Sequence, residues 1–296
     1  MPTTPSGVHA MKQSITILLL GLLVLAGAGV CRAADAFNLP VAPWMTAHGT
    51  DKYGAWSEFT IGVVTQRLRW IKPGTFIMGS PESEPGHFDC EQQHKVTLTQ
   101  GFWLADSDVT QGQWWWTVVK DGQWRRSFPV IDTNKLTEYT LPVVRVSFNE
   151  CQLFLKVLNN KVPGLNACLP TEAQWEYACR AGTTGPYAGD LKAMAWMYEN
   201  ASNTAHAVKT KAPNAWGLYD MHGNVYNWCQ DAFTNYTAGA LTDPVCTNGA
   251  GRVIRGGAYY YHAGYLRSAS RWGLDPNNTD TPYIGFRICV PASEPR

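Results

Sequence analysis

Thiol and imidazole side chains are the first candidates for chemistry in this chain, because they serve as nucleophiles, redox groups and metal ligands. The sequence contains eight Cys and seven His residues. The cysteines form no Cys-x-x-Cys pair, and the histidines form neither a His-x-x-x-His nor a His-Glu-x-x-His motif. A zinc or copper cage built from closely spaced ligands is therefore not indicated.

The redox state of the cysteines depends on the N-terminal segment. A short basic start precedes an apolar run over residues 15–30, and small residues suited to signal cleavage follow at Ala33 and Ala36. The pattern favours an export signal over residues 1–36, with Met11 as an alternative start, over a retained anchor, because the run is short for a bilayer span. We expect a periplasmic or secreted protein that does not span the membrane after signal removal.

Export changes what the remaining cysteines are expected to do. Removal of Cys31 with the signal leaves seven cysteines, at positions 90, 151, 168, 179, 229, 246 and 289. Disulfides persist in an oxidising compartment, and an odd number leaves one thiol free or paired between chains.

The charge balance excludes one class of partner. The 296 residues include 24 basic and 23 acidic side chains, a net charge of +1, and 45% are hydrophobic. A nearly neutral chain has no field that would gather nucleic acid. Its length allows one large domain or two small ones.

Aromatic side chains are abundant, with thirteen Trp and thirteen Tyr residues. A loop-rich domain uses such side chains to fill a core that regular elements cannot fill. We assign that role to most of Trp103, Trp114, Trp175, Trp216 and Trp228. The cluster over residues 259–265 is the better candidate for a binding surface.

Three helix starts share one capping pattern, a hydroxyl residue followed three positions later by Glu or Gln. They begin at Thr110, Ser147 and Thr171. The pattern predicts a helix over about 148–159 and another over about 172–180.

The remaining elements are less regular. The helix over 148–159 is expected to bury Leu153 and Val157 among its apolar residues. Residues 76–78 and 95–99 alternate in hydropathy as strands do, and the chain up to about Trp56 is expected to be loose.

In chain order, seven segments resemble the formylglycine-generating enzyme/sulfatase-modifying-factor domain family. They are Pro73–Ser80, His94–Leu98 with Phe102–Trp103, Asp108–Gln111, Leu169–Tyr177, Pro213–Asn224, Arg252–Gly257 and Gly285–Arg287. The resemblance implies an α+β fold, a loop-rich variant of the C-type-lectin fold, in a single domain over residues 60–292 after an N-terminal extension at 37–59. It does not fix function, because the family includes oxidases, sulfoxide synthases, siderophore-maturation proteins and binding modules.

The oxidases of this family bind copper(I) through two cysteines between the Gly-Gly and Gly-Phe-Arg segments. In this chain the interval contains no cysteine, and Tyr261 and Leu266 stand at the two positions by offset from Gly257. Neither side chain can hold a soft copper(I) ion. We therefore expect no copper, and copper-dependent formylglycine formation is not predicted.

The interval is instead similar to the cysteine-free branch of the family, which includes the pyoverdine-maturation protein and retroelement variable proteins. That similarity implies a ligand surface formed by rigid amphipathic side chains. Its residues would be Tyr259, Tyr260, Tyr261, His262, Tyr265 and Trp272. Arg267 and Arg271 are expected to brace the fold.

Catalytic groups are not identified by the resemblance. The titratable or redox-capable residues nearest the family's reactive region are Tyr261, His262 and Asp275. They are weak candidates for catalysis.

Family members bind calcium through a loop that matches residues 220–227. The resemblance implies ligation by the side chains of Asp220 and Asn227 and the carbonyl oxygens of Gly223 and Val225. Asn227 stands where the family has Glu, which predicts weakened affinity for a structural calcium ion. A turn closed by its own Asp and Asn side chains is the alternative.

Disulfides are also implied by the resemblance. In the oxidases, one joins the helix after Leu-Pro-Thr-Glu to the strand carrying Gly-Phe-Arg, which suggests Cys179 with Cys289. Cys168 is an alternative partner for Cys289, because Cys289 lies one residue past the family position and a one-residue slip reverses the face of a strand. Cys229 and Cys246 form a reasonable second pair.

These expectations lead to three hypotheses of function. The first is an exported protein that matures a secreted metabolite or peptide, with pyoverdine-type siderophore maturation as the concrete guess. The second is a non-catalytic, lectin-like protein that binds a peptide or small metabolite. The third is an oxidase of protein cysteine with a non-standard site.

Overall fold

The computed structural model describes residues 38–122 and 139–292, all within one compact unit, Ala34–Arg296. The predicted export signal lies outside the described residues. Within these ranges, none of the helices combines the length and apolar character needed to cross a bilayer.

The described residues form twelve strands and four α-helices in mixed order. The strands are β1 (Ala47–Asp51), β2 (Gly54–Ile61), β3 (Val64–Ile71), β4 (Gly74–Met78), β5 (His94–Leu98), β6 (Phe102–Ala105), β7 (Tyr226–Ala232), β8 (Leu241–Thr242), β9 (Arg252–Arg255), β10 (Arg271–Leu274), β11 (Ile284–Phe286) and β12 (Cys289–Pro291). The helices are α1 (Gln111–Trp114), α2 (Phe148–Lys161), α3 (Glu172–Arg180) and α4 (Leu191–Met194).

The strands form three sheets among the described residues. The first has the order β1-β2-β3-β6-β12, the second β10-β9-β7-β11 and the third β4-β5-β8. Neighbours are antiparallel except for the parallel pairs β7 with β11 and β5 with β8. The fold is therefore α+β and loop-rich, as predicted.

The expectation of a loose chain up to Trp56 is wrong. Strands β1 and β2 form a tight antiparallel hairpin in which Asp51 pairs with Gly54, and Gly54 adopts the left-handed φ of +102° that the turn requires. β2 then pairs with β3, so Trp56 lies opposite Arg69. The segment assigned to an extension thus contributes two strands to the five-stranded sheet.

The three predicted helix starts are confirmed. Thr110, Ser147 and Thr171 each accept a hydrogen bond from the amide three residues on, and the Gln or Glu at that position returns one to the cap amide. Because each motif satisfies two otherwise unpaired amides locally, the sequence alone suffices to locate it.

The predicted apolar face of α2 is partly wrong. Leu153 is 38% exposed, whereas Cys151, Phe154 and Leu158 are buried. Phe154 stacks on Trp114 at a centroid distance of 5.3 Å. Relative to the predicted orientation, the helix is rotated so that Cys151, Phe154 and Leu158 face the core.

The tryptophan assignment is confirmed for four of five residues. Trp103, Trp114, Trp175 and Trp228 are buried in the hydrophobic core. Trp216 is only partly buried and packs at its edge.

Candidate functional site

The four-stranded sheet separates two different environments, because successive side chains of a strand point to opposite faces. On β9, Ile254 belongs to the core packed by α2, whereas Arg255 lies beside the carboxylates of α3. On β10, Arg271 lies on the α3 side and Trp272 on the other. We call these the charged face and the tyrosine face.

A cavity of about 250 Å³ opens on the tyrosine face. We call it the tyrosine cavity, since four Tyr residues and one Trp contribute to its walls. Its lining residues are Tyr226, Ile254, Tyr261, Tyr265, Trp272, Gly273, Leu274, Thr281, Tyr283 and Ile284. The structure thus brings together Tyr261, Tyr265 and Trp272 of the predicted ligand surface.

Contacts between the rings fix their positions. The hydroxyl oxygens of Tyr261 and Tyr283 lie 2.9 Å apart, and their rings meet edge to face at a centroid distance of 5.3 Å. Tyr226 packs edge to face against Tyr261 at 5.5 Å. Burial and the hydrogen bond to Tyr283 raise the pKa of Tyr261. The Tyr261 hydroxyl therefore stays protonated at neutral pH, and either hydroxyl of the pair can be the donor.

Other aromatic side chains form the rim of the cavity. Tyr260 is 51% exposed and stacks parallel to Tyr283 at 5.9 Å, and Trp272 is 38% exposed. Tyr198, 54% exposed, contacts the ring of His262 at 4.4 Å. Tyr259 is the exception among the predicted surface residues, because it is only 8% exposed. Its amide donates to the Asn224 carbonyl oxygen, and it follows the fully buried Ala258.

The three catalytic candidates do not converge. Tyr261 lines the cavity, whereas the exposed His262 pairs with Glu199 at 2.7 Å on the surface. Asp275 accepts a hydrogen bond from the Asn277 amide in an exposed turn. In the described part of the chain, none of the hydrogen bonds of these three residues joins two of them. The geometry gives no acid–base or nucleophile pair.

The two positions predicted to match the copper cysteines do lie together. Leu266 is fully buried, and Tyr261 packs against the same small apolar cluster, which includes Ala195 and Met197. A phenol and an isobutyl group replace the soft ligands that copper(I) needs.

A Cys–His contact occurs nearby, but it is not an activated nucleophile. The sulfur of Cys179 lies 3.7 Å from Nε2 of His222. Nδ1 of His222 lies 2.7 Å from the Leu266 carbonyl oxygen, to which it donates, and Nε2 accepts from the Ala188 amide. Burial lowers the pKa of His222 to about 4 and raises that of Cys179 to about 12. The thiol stays protonated, and it has no exposed surface.

The charged face holds a continuous ladder of buried ion pairs. Glu172 accepts from Nε and Nη2 of Arg271, both at 2.7 Å, and lies 3.2 Å from Arg255. Arg255 also pairs with Glu176, which accepts in addition from the Gly79 amide at 2.9 Å. The prediction that Arg271 braces the fold is confirmed.

Arg267 has the same role at a second site. Its guanidinium bonds Glu91 through two nitrogens, each at 2.7 Å, and Glu84 at 2.8 Å. The side chain is fully buried, so it does not contribute to the ligand surface.

In the predicted calcium loop, the Asp220 side chain is suited to bind a cation, whereas the Asn227 side chain is not. Oδ1 of Asp220 is buried without a hydrogen-bond partner, as an unfilled cation ligand would be. The amide oxygen of Asn227, however, accepts from Trp175 at 3.0 Å and from Arg287 at 3.3 Å. The guanidinium of Arg287 also pairs with Asp108 at 3.3 Å, so a fixed cation already occupies this neighbourhood. The four-ligand set does not fit, and bound calcium stays a prediction.

Side-chain clusters elsewhere do not replace that site. Across residues 38–122 and 139–292, no group of three or more His, Cys, Asp or Glu side chains is arranged to hold a metal ion.

The cysteine geometry favours the alternative pairing. Cys168 and Cys289 face each other in an antiparallel bridge, and each amide donates to the other's carbonyl oxygen at 2.8 Å. Cys179, the partner implied by the resemblance, contacts His222 and Ser268 instead. All seven described cysteines are free thiols in the structure.

The second suggested pair does not meet. Cys229 is fully buried on the charged face, whereas the sulfur of Cys246 contacts Thr234 at 3.4 Å and the Asn248 carbonyl oxygen at 3.5 Å. Cys246 is separated from the core by the loop that carries it.

Three aromatic residues of the site were not predicted. Tyr226 follows the glycine-asparagine turn on β7, Tyr283 precedes β11, and Tyr198 lies in a loop after α4. Tyr226 and Tyr283 flank segments used to identify the family, which is the signal that was available. Tyr198 had no sequence signal, because only tertiary folding places it beside His262.

Comparison with known proteins agrees with this architecture. Residues 63–292 match the family model described as the sulfatase-modifying factor enzyme 1-like domain. The chain is 33% identical over 211 residues to the formylglycine-generating enzyme of Streptomyces coelicolor, covering 62% of this chain and 63% of the enzyme. It is 31% identical over 198 residues to the mouse formylglycine-generating enzyme, covering 60% and 51%. The chain thus spans about half to just under two thirds of these curated relatives.

Solved structures match more of the chain. Treponema denticola variable protein 1 is similar with a TM-score of 0.67 and 25% identity, covering 79% of this chain and 98% of that protein. PvdO from Pseudomonas aeruginosa has a TM-score of 0.66 and 23% identity, covering 79% and 97%, a likeness of fold alone. The fold is the formylglycine-generating-enzyme variant of the C-type-lectin fold. On the match over residues 63–292, this chain belongs to the sulfatase-modifying factor enzyme 1-like domain family.

Proposed function

We propose that this is an exported protein that binds a secreted peptide or small metabolite in the tyrosine cavity and acts in its maturation. The observation that carries the proposal is the cavity itself. Aromatic rings form its walls. Tyr261, which the family resemblance puts at a copper-cysteine position by offset from Gly257, is one of them, so we assign this position to ligand contact.

The cavity suits a ligand that is partly planar and partly polar. Ring faces of Tyr226, Tyr265 and Trp272 offer apolar contact, and the paired hydroxyls of Tyr261 and Tyr283 offer donors and acceptors. A volume of about 250 Å³ admits one ring-bearing group, with the rest of the ligand lying on the exposed rim. An aromatic siderophore precursor of the pyoverdine type, or an aromatic residue of a peptide, meets both conditions.

The place of action follows from the N-terminal pattern. An export signal over residues 1–36 would deliver the domain to the periplasm or the medium, where secreted metabolites are completed. The fold that this chain shares with PvdO carries neither location nor substrate identity.

The test is a deletion strain of the source organism, with its exported metabolites profiled by mass spectrometry. We expect a precursor to accumulate, and we expect the wild-type gene to restore the product. Genes encoding Trp272→Ala or Tyr283→Ala should fail to restore it, because each removes a wall of the cavity. Ile77→Ala is the matched control, since Ile77 is 47% exposed on another sheet. An unchanged metabolite profile in the deletion strain would refute the proposal.

A second candidate function is binding without chemistry. It is favoured by the separation of Tyr261, His262 and Asp275, which leaves the cavity without a catalytic pair. Incubating the purified protein with an extract of exported metabolites distinguishes the two. Retention of an unchanged compound supports binding alone, and its conversion supports maturation. A reverse transcriptase gene beside a near-copy of the 258–287 coding stretch would identify a retroelement target.

The oxidase hypothesis has the least support from the site. Its chemistry needs an accessible thiol or a metal held by soft ligands, and Cys179, the thiol nearest His222, is buried and protonated. Oxygen consumption with a thiol peptide and stoichiometric metal after purification would be required to revive it.

A further inference from the structure

A second cleft, of about 800 Å³, shares no residue with the tyrosine cavity. Four aromatic side chains line it: Tyr53, Trp70, Tyr177 and Trp216. Asp51 and Lys72 lie on its walls, so both signs of charge are present. Its volume falls within the usual range for small-molecule sites.

The cleft is built by two parts of the chain with different origins. Trp70, Tyr177 and Trp216 belong to the region that matches the family, residues 63–292, whereas Asp51 and Tyr53 come from the hairpin of β1 and β2 that precedes it. One wall therefore lies outside the region that matches the family model.

The added wall is held rigidly in place. Nη1 of Arg69, on β3, donates to Oδ1 and Oδ2 of Asp51 at 2.7 and 2.8 Å. The Tyr53 amide also donates to Oδ1 of Asp51, and the Arg69 guanidinium lies over the Tyr53 ring at 5.2 Å. The turn is thereby fixed to the sheet, and the Tyr53 ring is pre-positioned for a ligand.

The opposite wall is equally fixed. Tyr177 and Trp216 meet edge to face at 4.9 Å, and Phe76 packs against the other side of Tyr177 at 5.2 Å. Trp70 packs on the buried Trp103 at 5.2 Å. All four lining rings remain partly exposed, although each is braced from behind by such contacts. Rings that are braced but exposed offer stacking platforms at little cost in entropy.

The polar groups point to a hydroxyl-rich ligand. Asp51 is paired with Arg69, and the exposed ammonium of Lys72 has no partner within residues 38–122 and 139–292. Asn38 adds an amide to the same cleft. The carboxylate accepts hydrogen bonds from hydroxyl groups, and the ammonium donates to them.

We infer that this cleft binds an oligosaccharide. A pyranose ring has an apolar face of C–H groups that stacks on Trp and Tyr rings, and an edge of hydroxyls that fits Asp51 and Lys72. This site goes beyond the proposed function, because it shares no residue with the tyrosine cavity.

Titration of the intrinsic Trp fluorescence with oligosaccharides tests the inference. The probes are cellohexaose, chitohexaose, maltohexaose and an oligogalacturonate of equal length. We expect saturable binding of at least one probe, and at least about tenfold weaker binding by Trp216→Ala, which removes a central platform. Trp216→Phe should restore most of the affinity, since a stacking ring returns.

Two further variants complete the test. Tyr53→Ala removes a ring from the hairpin wall and replaces Trp216→Ala if that variant does not fold. Trp272→Ala, in the tyrosine cavity, should bind the oligosaccharide as the wild type does, so failure of this site and failure of the proposed function are distinguishable. The inference is overturned if none of the probes binds, or if Trp216→Ala and Tyr53→Ala bind as the wild type does.

Discussion

The charged face and the tyrosine face belong to the same four strands, yet one consists of buried ion pairs and the other of aromatic rings around an open cavity. Arg255 is fully buried between Glu172 and Glu176, and its guanidinium is held on several sides. One residue away, Ile254 lines an open cavity whose other walls are phenol and indole rings. The pleat alone separates these environments.

This difference between the two faces indicates which segments of the family sequence stabilise the fold. Three of the four ladder residues, Glu172, Glu176 and Arg255, lie within segments that resemble the family, Leu169–Tyr177 and Arg252–Gly257. Buried charges tolerate little change, because each unpaired partner is costly. The tyrosine face meets no such constraint, because the side chains that line its cavity are uncharged.

Breaking the ladder should have the largest effect. Glu176→Gln keeps the shape of the side chain but removes the negative charge that pairs with Arg255 and Arg180. We expect the free energy of unfolding to fall by about 3–5 kcal/mol, because a buried guanidinium loses its counter-charge. Urea unfolding followed by circular dichroism measures the change.

The matched control is the same substitution in a surface pair. Glu58 pairs with Arg67 across β2 and β3, and both side chains are partly exposed. Glu58→Gln should cost less than about 1 kcal/mol. Equal losses of unfolding free energy in Glu176→Gln and Glu58→Gln would show that the ladder stabilises the fold no more than a surface pair does.

The next largest effect concerns the attachment of α3, which supplies the carboxylates of the charged face. Cys168 lies just before that helix and faces Cys289 on β12. The pairing geometry is compatible with a disulfide, so we expect oxidised protein to contain a Cys168–Cys289 bond. Cys168→Ser should then lower the free energy of unfolding by about 2–4 kcal/mol under oxidising conditions.

Peptide mapping without reduction identifies the bond directly. Cys246→Ser is the control, since the Cys246 thiol contacts only Thr234 and a carbonyl group. Under reducing conditions the wild type and Cys168→Ser should unfold at similar urea concentrations. A mapped bond between Cys179 and Cys289 would contradict the expected pairing.

A third effect depends on pH and tests the polar network beside the ladder. Burial raises the pKa of Asp108 to about 7 and that of Asp220 to about 6. Since both lie above the ordinary value of 3.8, the folded state holds more protons than the unfolded state between pH 4 and 7. Their stabilising contribution is complete below about pH 4 and is lost as pH rises through 6 and 7.

Asp220→Asn separates this contribution from others. Asp220 has a left-handed φ of +56°, which Asn tolerates well. Between pH 4.5 and 7.5, we expect the loss of unfolding free energy to be about 2 kcal/mol smaller in the variant than in the wild type. Urea midpoints across this range measure it, and parallel pH profiles for the two proteins would exclude the assigned role of Asp220.

The sequence was sufficient wherever the determining contacts are local. The caps at Thr110, Ser147 and Thr171 use only residues within one turn, and all three were placed correctly. The hairpin of β1 and β2 was missed, although β3 follows β2 after a two-residue turn. Its stabilising contact, Asp51 with Arg69, joins residues 18 positions apart.

The sequence predicted which residue types form the candidate site better than it predicted where their side chains lie. Tyr261, Tyr265 and Trp272 were assigned to the ligand surface and do line one cavity. Tyr259 was wrongly included, since a continuous run of tyrosines does not reveal which faces inward. Two disulfide partners, Cys168 and Cys179, were predicted for Cys289. The face of a strand on which a side chain lies depends on the register of the strand, and only the completed sheet defines that register.

The smallest expected effect concerns the hydroxyl pair of Tyr261 and Tyr283 on the tyrosine face, and it tests whether this face contacts a ligand. Tyr283→Phe keeps the ring but removes the hydroxyl that lies 2.9 Å from the Tyr261 hydroxyl. Because both side chains are only partly buried, the free energy of unfolding should fall by about 1 kcal/mol or less. Tyr283→Phe should nevertheless complement the deletion strain less well than wild type if these hydroxyls bind the ligand. Full complementation by Tyr283→Phe, with failure of Tyr283→Ala, would instead assign recognition to the ring faces alone.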